Sequence, residues 1–204
     1  MELPGILAAT LAFAAAGSAF AGTFVYVSNA DDEDIGLYAM QPDGSLKPGE
    51  RFKAAKVVMP LAVTPDKKYL VAAIRSKPYQ AITYAIDGAS GALKQVGSWP
   101  FADSYAYISF DRNGRFLFGA SYTGNNVGVY PFGTDGKVGA QLQHIPTARN
   151  AHSIIADHSN RYVFAPHLGT DQVFQFMFDA SSGRPTANTP PLLQLPQEIG
   201  RAHV

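Results

Sequence analysis

An all-β fold built from a repeated unit is predicted for this 204-residue chain by its composition and by two sequence markers that recur at a fixed period. Four glutamates are present, against 19 glycines, 14 prolines and 23 phenylalanine and tyrosine residues. Glycine and proline disfavour helices and favour turns, whereas aromatic residues favour strands. The composition therefore excludes a helical bundle and a coiled coil.

Both markers have a period of about 46 residues. The first is a polar turn followed by an aromatic residue, and these aromatic residues, 47 and 46 positions apart, are Tyr69, Phe116 and Tyr162. The second is a turn containing glycine, with spacings of 47, 45 and 47 residues between Gly44, Gly91, Gly136 and Gly183. Four short strands in a unit of this length are typical of a β-propeller blade. Residues 22–204 therefore correspond to about four four-stranded antiparallel blades.

Each repeat is expected to contain a short inner strand, an aromatic and aliphatic strand, an alternating strand and a closing strand. Residues 61–63 are an inner strand, and residues 140–145 are a closing strand. The second strands are predicted at residues 69–74, 116–121 and 162–166. The third strands are predicted at residues 81–86, 126–132 and 172–178. Residues 23–28 and 35–40 are predicted to be the middle strands of an earlier unit.

The N-terminal segment, residues 1–21, is predicted to be a secretory signal peptide. Residues 3–21 are uncharged and apolar, and they end in Ala19-Phe20-Ala21, a small-x-small pattern. A membrane anchor is the alternative, but the segment is short and rich in alanine, which partitions weakly into lipid. We therefore expect a mature protein that begins at Gly22, lies in the periplasm or outside the cell, and does not stay inserted in a membrane.

Charge and motif content exclude several classes of function. The 16 basic residues balance 16 acidic ones without a basic run, so a nucleic-acid partner is not expected. Because the chain has no cysteine, disulfides, thiolate catalysis and iron–sulfur clusters are excluded. The acidic run Asp31–Asp34 lacks the spacing of a calcium loop and predicts a solvated hairpin tip. No phosphate-binding, dinucleotide-binding or zinc-protease motif occurs, so no cofactor or metal is predicted.

All five histidines lie between residues 144 and 203. His152 aligns with Ala106 and Met59 of the other repeats, so this position does not need a titratable side chain for folding. It opens an inner strand at the mouth of the central channel, where a histidine can activate water. A polar cap on a blade turn is the alternative. His144, on an outer strand, and His158, in a turn, are expected to face solvent.

Two segments resemble the propeller lactonases, the 6-phosphogluconolactonase-type enzymes related to carboxy-muconate lactonising enzymes. Residues 152–163 are similar to their His-Ser-x-x-x-Ser-Pro-Asp-x-Arg-Tyr-x stretch, and residues 168–173, Leu-Gly-Thr-Asp-Gln-Val, to their Leu-Gly-Thr-Asp-Arg-Val. The turn at residues 65–70 matches their generic blade turn. The resemblance covers residues 23–204 and implies the first four blades of a seven-bladed fold. It also implies cofactor-independent hydrolysis of a small sugar lactone.

The resemblance implies further site residues. Arg201 and His203 lie in the matching region of the next blade, where the family carries Gly-Pro-Arg-His and this chain has Gly-Arg-Ala-His, so the arginine stands one residue early. Together with His152 they form the predicted catalytic set, because arginine stabilises an oxyanion. Arg149 and His167 are predicted to bind substrate. The alternatives are a solvated loop charge for Arg149 and a solvent-facing strand end for His167.

A four-blade arc of such a fold would leave two apolar sheet faces open, including members of strands 24–27 and 172–178. Open faces of this kind favour self-association, weak stability and feeble activity. A secreted binding module without catalysis, or an inactive truncated remnant, is the alternative to a lactone hydrolase.

Overall fold

The computed structural model describes residues 22–196, which form fifteen strands in four antiparallel sheets. Sheet I contains β1 (Phe24–Asn29), β2 (Asp34–Met40) and β3 (Leu46–Lys53). Sheet II contains β4 (Val58–Val63), β5 (Tyr69–Ile74), β6 (Gln80–Ile86) and β7 (Leu93–Pro100). Sheet III contains β8 (Tyr107–Phe110), β9 (Phe116–Ser121), β10 (Asn126–Pro131) and β11 (Gln143–Pro146). Sheet IV contains β12 (Ile155–Ala156), β13 (Tyr162–His167), β14 (Gln172–Asp179) and β15 (Arg184–Gln194).

The predicted repeat is confirmed, since every strand pairs with its sequence neighbours within one sheet. Tyr69, Phe116 and Tyr162 each begin the second strand of their sheet. Sheet I has three strands among the described residues, which correspond to the second, third and fourth strands of the other sheets. Across residues 22–196, no helix is long and apolar enough to cross a membrane.

The closing strand of sheet III differs from the prediction, because it begins at Gln143 rather than at residue 140. Phe132 and Val138 first form an isolated bridge around the Gly136 turn. The backbone N–H of Gly139 then donates to Pro131, and regular pairing starts only after this short irregular segment.

The first turn of each repeat is built by one residue with a left-handed backbone. Lys67, Gly114 and Asn160 occupy equivalent positions with φ of 60°, 68° and 58°. Glycine and asparagine adopt this region readily, whereas lysine carries a steric cost there of about 1 kcal/mol. In sheet III the carboxylate of Asp111 accepts hydrogen bonds from the backbone of Arg115 at 2.7 Å. The polar residues of the turn marker therefore serve the hairpin itself.

Apolar side chains fill three cores, one between each pair of neighbouring sheets. Successive residues of a strand point to opposite faces, so Leu70 packs towards sheet I whereas Val71 packs towards sheet III. Phe118 in turn belongs to the core between sheets III and IV. Along the inner edge, the first strand β8 also contacts the first strands β4 and β12 of the sheets on either side. This stacking of sheets about their first strands is the propeller arrangement.

The described residues form an open arc, because four sheets with three cores leave two outer faces uncovered. Val27, Met40 and Leu46 are 40%, 44% and 47% exposed on the outer face of sheet I. Ile155, Met177 and Leu193 are 45%, 49% and 51% exposed on the outer face of sheet IV. The predicted exposure of apolar side chains from the first and the fourteenth strand is thus confirmed.

Candidate functional site

His152 lies in the loop between β11 and β12, immediately before the inner strand of sheet IV. Its backbone N–H donates to the carbonyl of Pro166 at 3.0 Å, and the preceding Ala151 forms a bridge with His167. These two contacts fasten the loop to the end of β13. The position of His152 is therefore set by backbone pairing, which leaves its side chain free of a structural task.

The His152 ring is half-buried and meets the edge of Tyr122, with ring centroids 5.9 Å apart and planes at 83°. Tyr122 follows β9, so the contact joins the loop after β9 in sheet III to the loop before β12 in sheet IV. Within residues 22–196, the hydrogen bonding of His152 involves its backbone alone. Its imidazole nitrogens are thus available to a water molecule or a substrate.

His167 is buried, with 3% of its surface exposed, so the solvent-facing alternative is wrong. It follows Val163 and Ala165 on the face of β13 that packs against sheet III. Nδ1 lies 2.8 Å from the carbonyl of Ala165, and Nε2 lies 2.8 Å from the hydroxyl of Thr147. Because a carbonyl only accepts, Nδ1 carries a hydrogen, and in the neutral ring Nε2 accepts the hydrogen of the Thr147 hydroxyl. Burial lowers the pKa of His167, which favours this neutral form.

Arg149 is exposed at the rim of the same loop, and its Nη2 donates to the carbonyl of Gly169 at 2.8 Å. The neighbouring Asn150 is held by the side chain of Asn125, whose Oδ1 accepts its backbone N–H at 2.9 Å. A Cβ atom at Gly169 would lie 2.8 Å from Nε of Arg149 and closer still to Asn150. The glycine of the Leu-Gly-Thr-Asp segment thus permits the loops to close beside His152.

A second polar cluster, missed by the sequence reasoning, lies between sheets II and III. Arg75 directly follows β5, and its Nε donates to the hydroxyl of Ser104 at 3.2 Å. Beside it, the Asn126 amide donates to Asp103 at 2.6 Å, while the Asn126 carbonyl oxygen is buried without a partner in the described part of the chain. Arg75 lies six residues after Tyr69, as Tyr122 lies six residues after Phe116. Alignment of the repeats would therefore have revealed this cation.

The remaining predicted residues divide into those outside the described range and those exposed elsewhere. Arg201 and His203 lie outside the described residues. His144 on β11 and His158 in a turn are exposed, as predicted.

The acidic run forms the hairpin between β1 and β2, where Asp34 pairs with Arg51 at 2.7 Å. In residues 22–196, no three His, Asp or Glu side chains come together in an arrangement that could hold a metal ion.

Comparison with known proteins finds similarity to lactonases. The family described as lactonase, 7-bladed beta-propeller, matches residues 20–204. A 6-phosphogluconolactonase of Xenorhabdus nematophila is 34% identical over 155 residues, which are 76% of this chain and 47% of that protein. One from Serratia proteamaculans is 32% identical over 180 residues, which are 88% of this chain and 54% of that protein.

A solved structure shares the architecture as well. The periplasmic gluconolactonase PpgL of Pseudomonas aeruginosa is 25% identical, with a TM-score of 0.74 over 86% of this chain and 55% of that one. The chain thus spans about half the length of the relatives that it matches.

Proposed function

Since this chain belongs to the family of seven-bladed β-propeller lactonases, we propose that it hydrolyses the cyclic ester of a sugar lactone to the open-chain aldonic acid. The observation that carries the proposal is the His152 imidazole, which is half-buried against Tyr122, while His152 forms hydrogen bonds within the described residues only through its backbone. The relatives named as 6-phosphogluconolactonases support the same substrate class.

His152 acts in this proposal as the general base. It removes a proton from a water molecule, whose oxygen attacks the carbonyl carbon of the lactone. The tetrahedral oxyanion then collapses, the bond from this carbon to the ring oxygen breaks, and the ring oxygen receives the proton that His152 took from the water molecule. A single general base contributes on the order of a hundredfold or more to the rate of such a reaction.

Cationic side chains supply the electrostatic part of the proposed mechanism. Arg201 and His203 are proposed to stabilise the oxyanion, as expected for fixed hydrogen-bond donors. Arg149 is proposed to bind the hydroxyl or phosphate groups of the substrate from the rim, because its guanidinium is exposed beside the His152 loop. Both ring nitrogens of His167 are engaged within the protein, so in place of the predicted contact with substrate we propose that it holds Thr147 and the loop that carries His152.

Export to the periplasm or beyond is part of the proposal. It is supported by the uncharged apolar segment 3–21 with its Ala-Phe-Ala end, and by the periplasmic gluconolactonase among the structural relatives. An unphosphorylated sugar lactone is the substrate that fits such a location better, because phosphorylated sugars are mainly intracellular.

The test is a titration of acid released from glucono-δ-lactone and from its 6-phosphate by the purified chain, corrected for spontaneous hydrolysis. We expect feeble turnover above the spontaneous rate, and its loss to that rate in His152→Ala, because a general base contributes on the order of a hundredfold to the rate. His158→Ala is the matched control, because this histidine is exposed in a turn. Acid release at the spontaneous rate, or equal turnover in both variants, would contradict the proposal.

A further inference from the structure

Arg75 carries a half-buried charge that no carboxylate within residues 22–196 neutralises. Every other arginine of this part of the chain is exposed to solvent, where water screens its charge. The ion pairs of the described residues involve Arg51, Lys53 and Lys68 instead. A half-buried charge without a counter-ion has lost part of its hydration and gained no ion pair in return, so it attracts an anion.

Hydrogen bonds from two sheets hold Arg75 in place. Its backbone N–H donates to the carbonyl of Val57 before β4 at 3.1 Å, and its Nε donates to the Ser104 hydroxyl before β8 at 3.2 Å. Ser104 is only 8% exposed, and the ring of the adjacent Tyr105 is buried against Gly119, where a Cβ atom would lie 2.6 Å from the ring. The guanidinium is therefore fixed through Nε, and within residues 22–196 its two terminal nitrogens form no hydrogen bond.

Arg75 lies at the same end of the strands as His152. Arg75 follows β5 and Tyr122 follows β9, and each of these strands is the second of its sheet. Ser104 and Asn150 likewise lie in equivalent loops, each before the first strand of the next sheet. The Asn150 amide donates to the carbonyl of Tyr122 at 3.2 Å. The contact between Arg75 and Ser104 is thus repeated, one sheet boundary along, beside His152.

The loops of these two boundaries are also joined to each other. Asp103, next to Ser104, accepts the Asn126 amide at 2.6 Å. Asn125, next to Asn126, accepts the backbone N–H of Asn150 at 2.9 Å. The loops that hold the Arg75 guanidinium and the His152 imidazole therefore form one continuous rim.

We propose that Arg75 binds an anionic group of the lactone substrate, a carboxylate or a phosphate, while His152 acts at the ester. The proposal rests on the proposed function, because it assigns Arg75 to the same substrate. The terminal nitrogens of a guanidinium present parallel N–H donors that match two oxygens of such a group, and partial burial strengthens the ion pair. Arg75 is thus a specificity-determining residue that favours acidic sugar lactones over neutral ones.

The experiment measures the binding of three stable sugars to the full chain by isothermal titration calorimetry at low salt. Glucose, glucuronate and glucose 6-phosphate share one ring and differ in the group on their last carbon, which is a hydroxyl, a carboxylate or a phosphate. We expect at least one acidic sugar to bind on the order of tenfold more tightly than glucose, and the tighter of the two identifies the anion.

Because none of these sugars is a lactone, the measurement does not depend on turnover. A chain that prefers an acidic sugar but hydrolyses no lactone would contradict the proposed function and leave the role of Arg75 as an anion-binding residue intact. A chain that hydrolyses lactones but binds all three sugars equally would contradict the role of Arg75 alone.

Arg75→Gln should lower the affinity for the acidic sugar to that for glucose, because it removes the charge and keeps a polar side chain beside Ser104. Arg115→Gln is the matched control and should bind like wild type, because Arg115 is exposed before β9, at the opposite end of that strand from Tyr122. A preference for the acidic sugar that survives in Arg75→Gln, or that is lost equally in Arg115→Gln, would overturn the proposal. Urea unfolding establishes that both variants retain the fold.

Discussion

The Asp111 carboxylate offers a stringent test of how the blades are held together. It is fully buried and accepts hydrogen bonds from the backbone N–H groups of Arg115 and Phe116 at 2.7 and 2.9 Å. Its other oxygen accepts the Asn160 amide of sheet IV at 2.8 Å, across 49 residues of sequence. Asn160 in turn accepts the backbone N–H of Arg112 at 2.9 Å. The carboxylate thus caps one turn and fastens it to the next blade.

Asp111→Ala removes the acceptor and leaves these buried donors unpaired. At about 1–1.5 kcal/mol for each of the hydrogen bonds lost, the free energy of unfolding should fall by about 4 kcal/mol. For a chain of this size, that loss lowers the Tm by roughly 10 °C. Asp157 caps the equivalent turn of sheet IV through Arg161 and Tyr162, but its turn is exposed and water can replace the lost acceptor. Asp157→Ala should therefore destabilise the protein much less.

Urea unfolding followed by tryptophan fluorescence and circular dichroism, at dilute protein concentration, measures both variants. The reasoning requires Asp111→Ala to be clearly the less stable of the two. Equal losses would mean that the cap alone matters and that the bridge from Asp111 to Asn160 contributes nothing. A double variant with Asn160→Ala should lose less than the sum of the single variants, because one shared contact is removed only once.

Three further expectations concern titration, turn geometry and processing. Burial lowers the pKa of His167 below its ordinary 6.5, so the unfolded chain binds this proton more readily than the folded chain does. The free energy of unfolding is therefore highest above pH 6.5 and declines as the pH falls below that value. Urea unfolding between pH 5 and 8, in steps of about one unit, should show this decline in wild type and a flatter pH profile in His167→Gln. Identical profiles would mean that His167 does not cause the pH dependence. Gly183→Ala should lower the free energy of unfolding by about 3 kcal/mol, because φ is 73° and a Cβ atom would overlap Phe116. Gly88→Ala, with open space around it, should leave this free energy unchanged in the same urea measurements. Exported protein should begin at Gly22 by N-terminal sequencing, and material that retains Met1 in the soluble cytoplasmic fraction would contradict the predicted cleavage.

Much of the architecture could be predicted from sequence because it depends on local rules that repeat. The left-handed turn positions favour glycine and asparagine, although Lys67 occupies one of them, and the strands between them favour aromatic and branched residues. A repeat of these local signals therefore predicts the sheets, their order and the equivalence of Tyr69, Phe116 and Tyr162. The exposure of His144 and His158 followed from the same repeat, because turns and outer strands meet solvent.

The site was only partly predictable. The repeat placed His152 before an inner strand. It also identified His152 as a candidate, because the equivalent residues Ala106 and Met59 cannot titrate. The repeat could locate Arg75 but not its contact with Ser104, because that contact joins loops of different sheets across 29 residues. The link from Asp111 to Asn160 is hidden for the same reason. Contacts between sheets depend on the distance and twist of neighbouring blades, which no short stretch of sequence specifies.

The sequence by itself determined the all-β repeat, the turns and the candidate base, because each follows from residue types at a short spacing. Only the tertiary structure decided that His167 is buried, with both ring nitrogens engaged, since the same strand end faces either solvent or core according to what covers it. Only the tertiary structure likewise showed that a ring of the neighbouring sheet covers Gly183, whereas Gly44, with the same left-handed backbone, meets no ring within residues 22–196. Burial is a property of two surfaces in contact, and a sequence repeat describes each surface without fixing what lies opposite it.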